Sequence, residues 1–183
     1  MEPNHVLIAA LFGVLAVQRI AELRVAKRNE AWARRSGARE FGAGHYPLFF
    51  VLHVGWLLGW VVEGGLASHA LTPRWWVFVA AFVAAQGLRY WAIGSLGQRW
   101  NTRILVLPGR APIVRGPYRL VSHPNYVAVA LELAVVPLAV GAPWTAAVAS
   151  ALNAALLLGI RIPCETRALR WAEQATPGAS EAA

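Results

Sequence analysis

Five long runs of apolar residues dominate the chain, and most of its charged residues fall between them. The runs cover about residues 5–23, 47–66, 75–93, 126–140 and 144–160. Because a helix of about 20 residues crosses the roughly 30 Å hydrocarbon core of a bilayer, each run predicts a membrane helix. Only residues 141–143 separate the last two, which predicts a tight antiparallel hairpin. The pattern predicts an all-α polytopic membrane protein with five transmembrane helices.

The composition is that of a membrane protein and leaves room for one domain. The 183 residues are 57% hydrophobic and only 14% charged, whereas soluble domains carry about a quarter charged residues. Five spans use about 100 residues, so a separate soluble domain is not expected. We predict a single membrane domain over residues 1–172, followed by a small, polar and disordered tail over residues 173–183.

Arginine and lysine are placed asymmetrically, which predicts the orientation. Basic residues follow the first, third and fifth runs, whereas Arg74 is the only arginine or lysine in the segments after the second and fourth runs. Because cytoplasmic segments carry the excess of positive charge, we expect the N-terminus outside and the C-terminus in the cytoplasm. The net charge is +8, and the role of the basic loops as topology signals in contact with anionic membrane lipids accounts for most of their charge. Nucleic acid is therefore not an expected partner.

Neither a metal centre nor an internal disulfide is expected. Cys164 is the only cysteine of the sequence, and its five histidines show no paired metal-ligand spacing. Candidate chemistry therefore rests on polar side chains within or beside the apolar runs.

Polar groups inside the apolar runs need partners, because the hydrocarbon core cannot solvate them. Glu132 lies about two turns inside the fourth run, and Arg89 and Arg161 are candidate cations for it. Helix packing alone would explain such an ion pair, and a place in a substrate site is the alternative. His53 and Asn153 are interpreted as hydrogen-bonded packing residues.

Two polar clusters are predicted to meet at the cytoplasmic mouth of the final hairpin. The segment before the fourth helix is rich in glycine and proline, and Pro124 is suited to begin that helix. His123 and Tyr126 flank this start, while Arg161 and Glu165 lie four residues apart after the fifth run. The hairpin makes the two pairs emerge side by side, which is typical of a ligand site.

At these residues the sequence resembles the isoprenylcysteine carboxyl methyltransferase family of integral-membrane enzymes that use S-adenosylmethionine. The matching elements are LG..W (Leu96, Gly97, Trp100), GPYR (Gly116 to Arg119), HPNY (His123 to Tyr126) and R...E...L (Arg161, Glu165, Leu169). The resemblance implies a cofactor-binding part over about residues 94–172. The segment RNEAWARRSGAREFGAGHYPLF resembles the bacterial branch that O-methylates long-chain alkylpyrones and alkylresorcinols made by type III polyketide synthases.

The resemblance also implies which residues hold the cofactor. Carried over to the matching positions, the cofactor contacts are His123, Asn125, Tyr126 and Glu165, with Tyr118 and Arg119 as looser candidates. Two positions depart from the family pattern. Ser122 stands where members often have arginine, and Thr166 follows Glu165 where members usually have a second glutamate.

The acceptor is expected to be a lipophilic molecule that enters from the bilayer and keeps its polar head at the cytoplasmic site. A phenol or enol must lose a proton, and His45 in GAGHYP is the candidate base. An interfacial anchor for the second helix is the alternative interpretation of His45. Arg103, expected near the head group, is grouped with it as a candidate catalytic residue. The candidate substrate-binding residues are Glu40, Tyr46, Trp100 and Glu132.

Two other functions remain open. An NADPH-dependent membrane reductase of the sterol or 5-alpha-reductase type shares an HPNY-like element, but those enzymes tend to continue with glycine and an acid. Here Val127, Ala128 and Val129 follow the tyrosine. A non-enzymatic membrane scaffold needs no site at all. The sequence favours S-adenosylmethionine-dependent methyl transfer to a phenol, enol or carboxylate oxygen at the cytoplasmic face of a bacterial membrane.

Overall fold

The computed structural model describes residues 2–67 and 72–175, most of which are helical. In chain order the helices are α1 (Pro3–Arg35), α2 (Tyr46–Leu66), α3 (Trp75–Leu96), α4 (Pro124–Ala139), α5 (Pro143–Leu156) and α6 (Ile162–Gln174). Two strands, β1 (Arg39–Phe41) and β2 (Ile104–Val106), and 3₁₀ turns at Ala43–His45, Gly97–Arg99 and Gly116–Arg119 lie in the connections. A π-helical turn (Leu157–Arg161) joins α5 to α6. Residues 176–183 of the predicted tail lie outside the described residues.

Four helical stretches in the described part of the chain are long and apolar enough to cross a membrane. They are Pro3–Arg35, Ala43–Leu66, Trp75–Arg99 and Pro143–Gln174. These stretches confirm transmembrane helices as the basis of the fold. α4 is apolar as well but has only 16 residues, which rise about 24 Å. The fifth span therefore stays a prediction.

α1 is longer than the sequence analysis predicted, because the basic segment after residue 23 is helical rather than a loop. α1 has 33 residues and ends at Arg35. Residues 24–35 are rich in alanine, arginine and other good helix formers and include neither glycine nor proline. Gly37, at φ 81°, then follows the end of the helix in a left-handed conformation. Since 33 residues rise about 50 Å, α1 is longer than the hydrocarbon core is thick.

A small antiparallel sheet adds to the all-α architecture that was predicted. In its register Arg39 pairs with Val106, Glu40 with Leu105 and Phe41 with Ile104. Strands of three residues are too short to show an alternating pattern in the sequence. The buried Ile104 and Val106 pack with Ala168 of α6, so the sheet ties the segments after α1 and α3 to the last helix.

The core where the helices meet is apolar, and a hydrogen bond crosses it from α2 to α4. Leu15, Trp60 and Leu133 are fully buried there. The indole Nε1 of Trp56 donates to the backbone carbonyl of Leu133 over 3.1 Å. Pro137 lies four residues after Leu133 in α4 and has no N–H, so this carbonyl lacks its usual helical partner. The indole of α2 satisfies it and thereby holds α2 against α4.

Candidate functional site

A cavity of about 920 Å³ lies between the helices and the segment that carries β2. Its walls come from α1, α2, the segment after α3, the start of α4 and the stretch from α5 to α6. On α2 the lining residues Tyr46, Phe49, His53 and Trp56 recur every three or four positions, which places them on one helix face. A largely aromatic wall therefore leads along α2 into the membrane domain.

His123, Tyr126 and Glu165 meet at one end of this cavity. Tyr126 Oη donates to Glu165 Oε2 over 2.5 Å, and Arg161 Nε donates to Tyr126 Oη over 3.1 Å. The His123 ring stacks on the Tyr126 ring with centroids 5.1 Å apart, and its Nδ1 lies 3.8 Å from Glu165 Oε2. The structure thus brings together the two clusters that the sequence placed side by side. The Tyr126 hydroxyl joins Arg161 to Glu165, in place of a direct i,i+4 pair.

The π-helical turn places Arg161 at this end of the cavity. Pro163 has no N–H to offer the carbonyl of Gly159, so the α-helical ladder cannot continue unchanged. The backbone widens instead, and the N–H of Ile162 donates to the carbonyl of Leu157, five residues back. Arg161, buried at the end of this turn, lines the cavity. Pro163, just beyond the fifth apolar run, thus accounts for the π-helical turn that brings Arg161 to the cavity.

The other predicted cofactor residues differ in their relation to the cavity. Tyr118 and Asn125 line it, whereas Arg119 is exposed and does not belong to its lining. Burial, with the nearby Glu165 carboxylate, raises the pKa of Tyr118 to about 12. Its hydroxyl therefore stays protonated near neutral pH and can donate. Asn125 Oδ1 is buried and has no hydrogen-bond partner among the residues that the structure describes, which leaves an acceptor free at the cavity.

A second charged group, centred on Glu40, connects the sheet to α1. Arg103 Nη1 donates to Glu40 Oε1 over 2.7 Å, and Arg34 donates to the other carboxylate oxygen. Burial opposes ionisation of Glu40, but the hydrogen bonds from these two arginines outweigh it and lower its pKa. The Arg103 guanidinium lies 4.4 Å from the centroid of the Tyr46 ring. Arg103, Tyr46 and Trp100 line the cavity, whereas Glu40 stands behind Arg103.

Glu132 is buried in a four-membered charge cluster with Arg19, Glu22 and Arg89. Arg19 donates to Glu22 over 2.7 Å and also to Glu132. Arg89 donates to Glu22 over 2.6 and 2.8 Å and to Glu132 over 3.4 Å. Of the two cations predicted for Glu132, Arg89 is confirmed, whereas Arg161 belongs to the group at the cavity end. Glu132 itself does not line the cavity, but the other three members of the cluster do.

Arg19 and Glu22 were not singled out from the sequence, although a signal for them exists. Both lie inside the first apolar run, where charged side chains need partners. Their i,i+3 spacing puts them on one helix face. Such a pair inside an apolar run predicts a buried charge site, but the sequence does not identify its partners on other helices.

The two histidines near the start of α2 are placed differently. His45 packs edge-on against Phe49, with ring centroids 6.1 Å apart, and does not line the cavity. Its Nε2 is buried and has no hydrogen-bond partner within residues 2–67 and 72–175. His53, which the sequence analysis interpreted as a packing residue, lines the cavity, as does Asn153. The role of His45 as a base stays a prediction, and His53 is a second candidate.

Three comparisons with known proteins bear on the identity of the chain. The isoprenylcysteine carboxyl methyltransferase (ICMT) family matches residues 76–171, more than half of the chain. The uncharacterized protein YpbQ of Bacillus subtilis is 42% identical over 161 residues, which cover 87% of this chain and 95% of the relative. An uncharacterized protein of Haemophilus influenzae is 24% identical over 159 residues, covering 86% and 92%. No solved structure matches the chain. The chain belongs to the isoprenylcysteine carboxyl methyltransferase family, and this membership makes it a membrane methyltransferase.

Proposed function

We propose that the protein transfers a methyl group from S-adenosylmethionine to an oxygen of a lipophilic acceptor at the cytoplasmic face of the membrane. The observation that carries this proposal is the cavity that joins the cluster of His123, Tyr126 and Glu165 to the aromatic face of α2. A polar end suits the methyl donor, and an apolar wall suits an acceptor from the bilayer. The use of S-adenosylmethionine by members of the family supports the choice of donor.

The polar end of the cavity fits the groups that S-adenosylmethionine presents. Its ammonium group, ribose hydroxyls and adenine amino group are hydrogen-bond donors. Glu165 accepts from Tyr126 only through Oε2, and Asn125 Oδ1 is unpaired in the described part of the chain, so both residues can accept further bonds. The stacked His123 ring offers an aromatic face to the adenine. When bound, the molecule supplies an electrophilic methyl group, and the task of the protein is to position the two reactants.

We propose that the acceptor's alkyl tail enters between α1 and α2. Leu23 of α1 and Phe50 and Val54 of α2 line the cavity, yet these residues are 51%, 65% and 40% exposed. Exposed apolar residues on membrane helices are suited to face lipid, so the cavity can receive a tail from the bilayer. The head group then lies toward Tyr46 and Trp100, which line the same cavity.

Long-chain alkylpyrones and alkylresorcinols are the acceptors that we propose within this class. The support is the likeness of residues 28–49 to the bacterial branch that methylates such lipids, and Tyr46 and Phe49 of this segment line the cavity. These molecules combine a small ring that carries a hydroxyl with a long apolar tail. A volume of about 920 Å³ lies within the usual range for ligand sites, about 300–1,000 Å³.

The proposed orientation has five spans, with the N-terminus outside and the polar end of the cavity in the cytoplasm. In it α4 crosses the membrane with α5 as a hairpin, and the lining residues Arg99 and Arg110 follow the positive-inside rule. Cys164 is buried, so a Cys164→Ser background allows single cysteines to be introduced at exposed positions. A membrane-impermeant thiol reagent should label Trp144→Cys but not Arg115→Cys in intact cells. Equal labelling of both would contradict this orientation.

Ligand binding to the detergent-purified protein tests the proposed function. We expect S-adenosylhomocysteine to raise the Tm and NADPH to leave it unchanged. Glu165→Gln removes a charged acceptor, and since such hydrogen bonds contribute about 1.5–3 kcal/mol, affinity should fall about ten- to hundredfold. His123→Ala should also weaken binding. Glu2→Gln, the same change at the exposed start of α1, is the matched control.

The possible outcomes of this experiment separate the three functions. Stabilisation by NADPH alone would favour a reductase, and stabilisation by neither ligand would favour a scaffold. Unchanged affinity for S-adenosylhomocysteine in both Glu165→Gln and His123→Ala would contradict the proposed donor site.

A further inference from the structure

His53 presents an unpaired ring nitrogen at the cavity. Its Nδ1 lies 2.7 Å from the backbone carbonyl of Phe49, one turn earlier on α2. A carbonyl oxygen can only accept, so Nδ1 carries the proton, and in the neutral ring Nε2 keeps a lone pair. Nε2 has no hydrogen-bond partner among the described residues, and His53 lines the cavity. The ring is thus held in a tautomer that suits a general base.

Charged groups from three other helices face His53. Arg19 of α1, Arg89 of α3 and Glu132 of α4 interact with it electrostatically. Together with Glu22 they form a cluster of two cations and two anions. Arg19 lines the cavity and can stabilise an oxygen that becomes negative.

His53 also lies within reach of the proposed donor site. The Phe49 ring centroid is 5.7 Å from the guanidinium carbon of Arg161, and Arg161 donates to Tyr126. His53 follows Phe49 by four residues, a rise of about 6 Å along α2. An aromatic acceptor ring has about this width, so a ring seated beside Phe49 can place its hydroxyl near His53.

We infer that His53 is the general base of the reaction and that the acceptor carries a neutral hydroxyl, as a phenol or an enol does. This inference rests on the proposed function, and it assigns a base to the hydroxyl acceptors that are proposed there. A carboxylic acid is already ionised near pH 7 and needs no base, whereas a phenol needs one. His45 is the competing candidate, but it does not line the cavity.

The step balances in atoms and in charge. His53 Nε2 takes the hydroxyl proton while the acceptor oxygen forms a bond to the methyl carbon. The bond between that carbon and sulfur breaks, and its electron pair goes to sulfur. The products are a methyl ether and a thioether, and the imidazolium gains the positive charge that the sulfonium loses.

The test uses the full chain in detergent with the variant His53→Asn. Asparagine can still donate from Nδ2 to the Phe49 carbonyl, but it has no base in place of Nε2. The probe is a nitrophenol with a long alkyl chain, whose ionised form absorbs visible light. We expect the wild-type protein to raise the ionised fraction of the bound probe and His53→Asn to lose that absorbance. His5→Asn, the same substitution near the start of α1, is the matched control.

Turnover of a phenolic acceptor supplies a second readout. Loss of a general base should lower kcat about 10²- to 10⁴-fold, with the KM for the methyl donor nearly unchanged. The fall of the wild-type rate at acid pH, where His53 becomes protonated, should disappear in His53→Asn.

Three results would overturn the inference. The first is the absence of ionised probe on the wild-type protein. The second is an ionised fraction and a kcat that stay unchanged in His53→Asn. The third is a loss of the ionised fraction and of kcat in His45→Asn instead. Binding of S-adenosylhomocysteine is measured on the same samples. If the wild-type protein binds S-adenosylhomocysteine and one of these results is found, only the inferred role of His53 is refuted. If the wild-type protein does not bind it, the proposed function fails as well.

Discussion

The hydrogen bond from Trp56 to Leu133 predicts a measurable coupling between α2 and α4. The carbonyl of Leu133 is buried, and Pro137 supplies no N–H to it, so the Trp56 indole is its partner over 3.1 Å. Trp56→Phe removes that donor and leaves a polar group unpaired in apolar surroundings. Such a loss costs about 1–3 kcal/mol, in addition to the loss of packing.

A neighbouring tryptophan separates the hydrogen bond from the packing. Trp60 lies one turn further along α2, is 0% exposed, and its Nε1 has no hydrogen-bond partner in the described residues. Trp60→Phe therefore measures the packing loss of the same substitution without a lost donor. We expect Trp56→Phe to lower the free energy of unfolding by about 1–3 kcal/mol more than Trp60→Phe.

A double-mutant cycle with Pro137→Ala tests the cause directly. Alanine restores the N–H that the Leu133 carbonyl lacks, so Trp56→Phe should cost about 1 kcal/mol less in this background. The free energies come from reversible unfolding in mixed micelles, followed by the loss of helical circular dichroism. If the cost of Trp56→Phe is the same in both backgrounds, the indole does not compensate for Pro137, and this account of the helix contact is refuted.

Two further predictions concern polar contacts between helices. Glu63 accepts from the backbone N–H of Trp144 over 3.0 Å and of Thr145 over 2.7 Å, so Glu63→Ala should lower the free energy of unfolding by about 1–2 kcal/mol through loss of this N-terminal cap. An unchanged unfolding midpoint would contradict the capping role. Arg89→Gln leaves Glu22 with one fewer buried cation and should cost about 3–5 kcal/mol. Adding Glu22→Gln should recover part of this loss in the same unfolding assay, and a purely additive double variant would contradict the pairing.

Hydropathy predicted both ends of α2 and α3 better than the end of α1. α2 and α3 begin and end within a few residues of their predicted runs, because polar or turn-forming residues stand at both boundaries. The error at α1 has a physical reason. Charged residues such as Arg24 and Lys27 are where a helix is expected to leave the hydrocarbon core, but arginine and lysine are themselves good helix formers. The helix therefore continues to Arg35, and the basic loop begins later than predicted.

The meeting of His123 with Glu165 was predictable from connectivity. Three residues separate α4 from α5, so the start of α4 and the end of the α5 stretch had to lie near each other. His53 was not recognised in the same way. Whether a residue inside an apolar helix faces a cavity or a neighbouring helix depends on the rotation of that helix, and hydropathy alone does not determine it.

The same reasoning explains why one predicted partner of Glu132 was confirmed and the other was wrong. Arg161 contacts Tyr126, which lies in the first turn of α4, so Arg161 is level with the start of that helix. Glu132 follows Tyr126 by six residues, and six residues rise about 9 Å. Arg161 is therefore too far along the axis of α4 to pair with Glu132, whereas Arg19 and Arg89 reach it from α1 and α3. A charge inside an apolar run indicates that a partner exists, but the depth of each candidate along its own helix decides which partner it is.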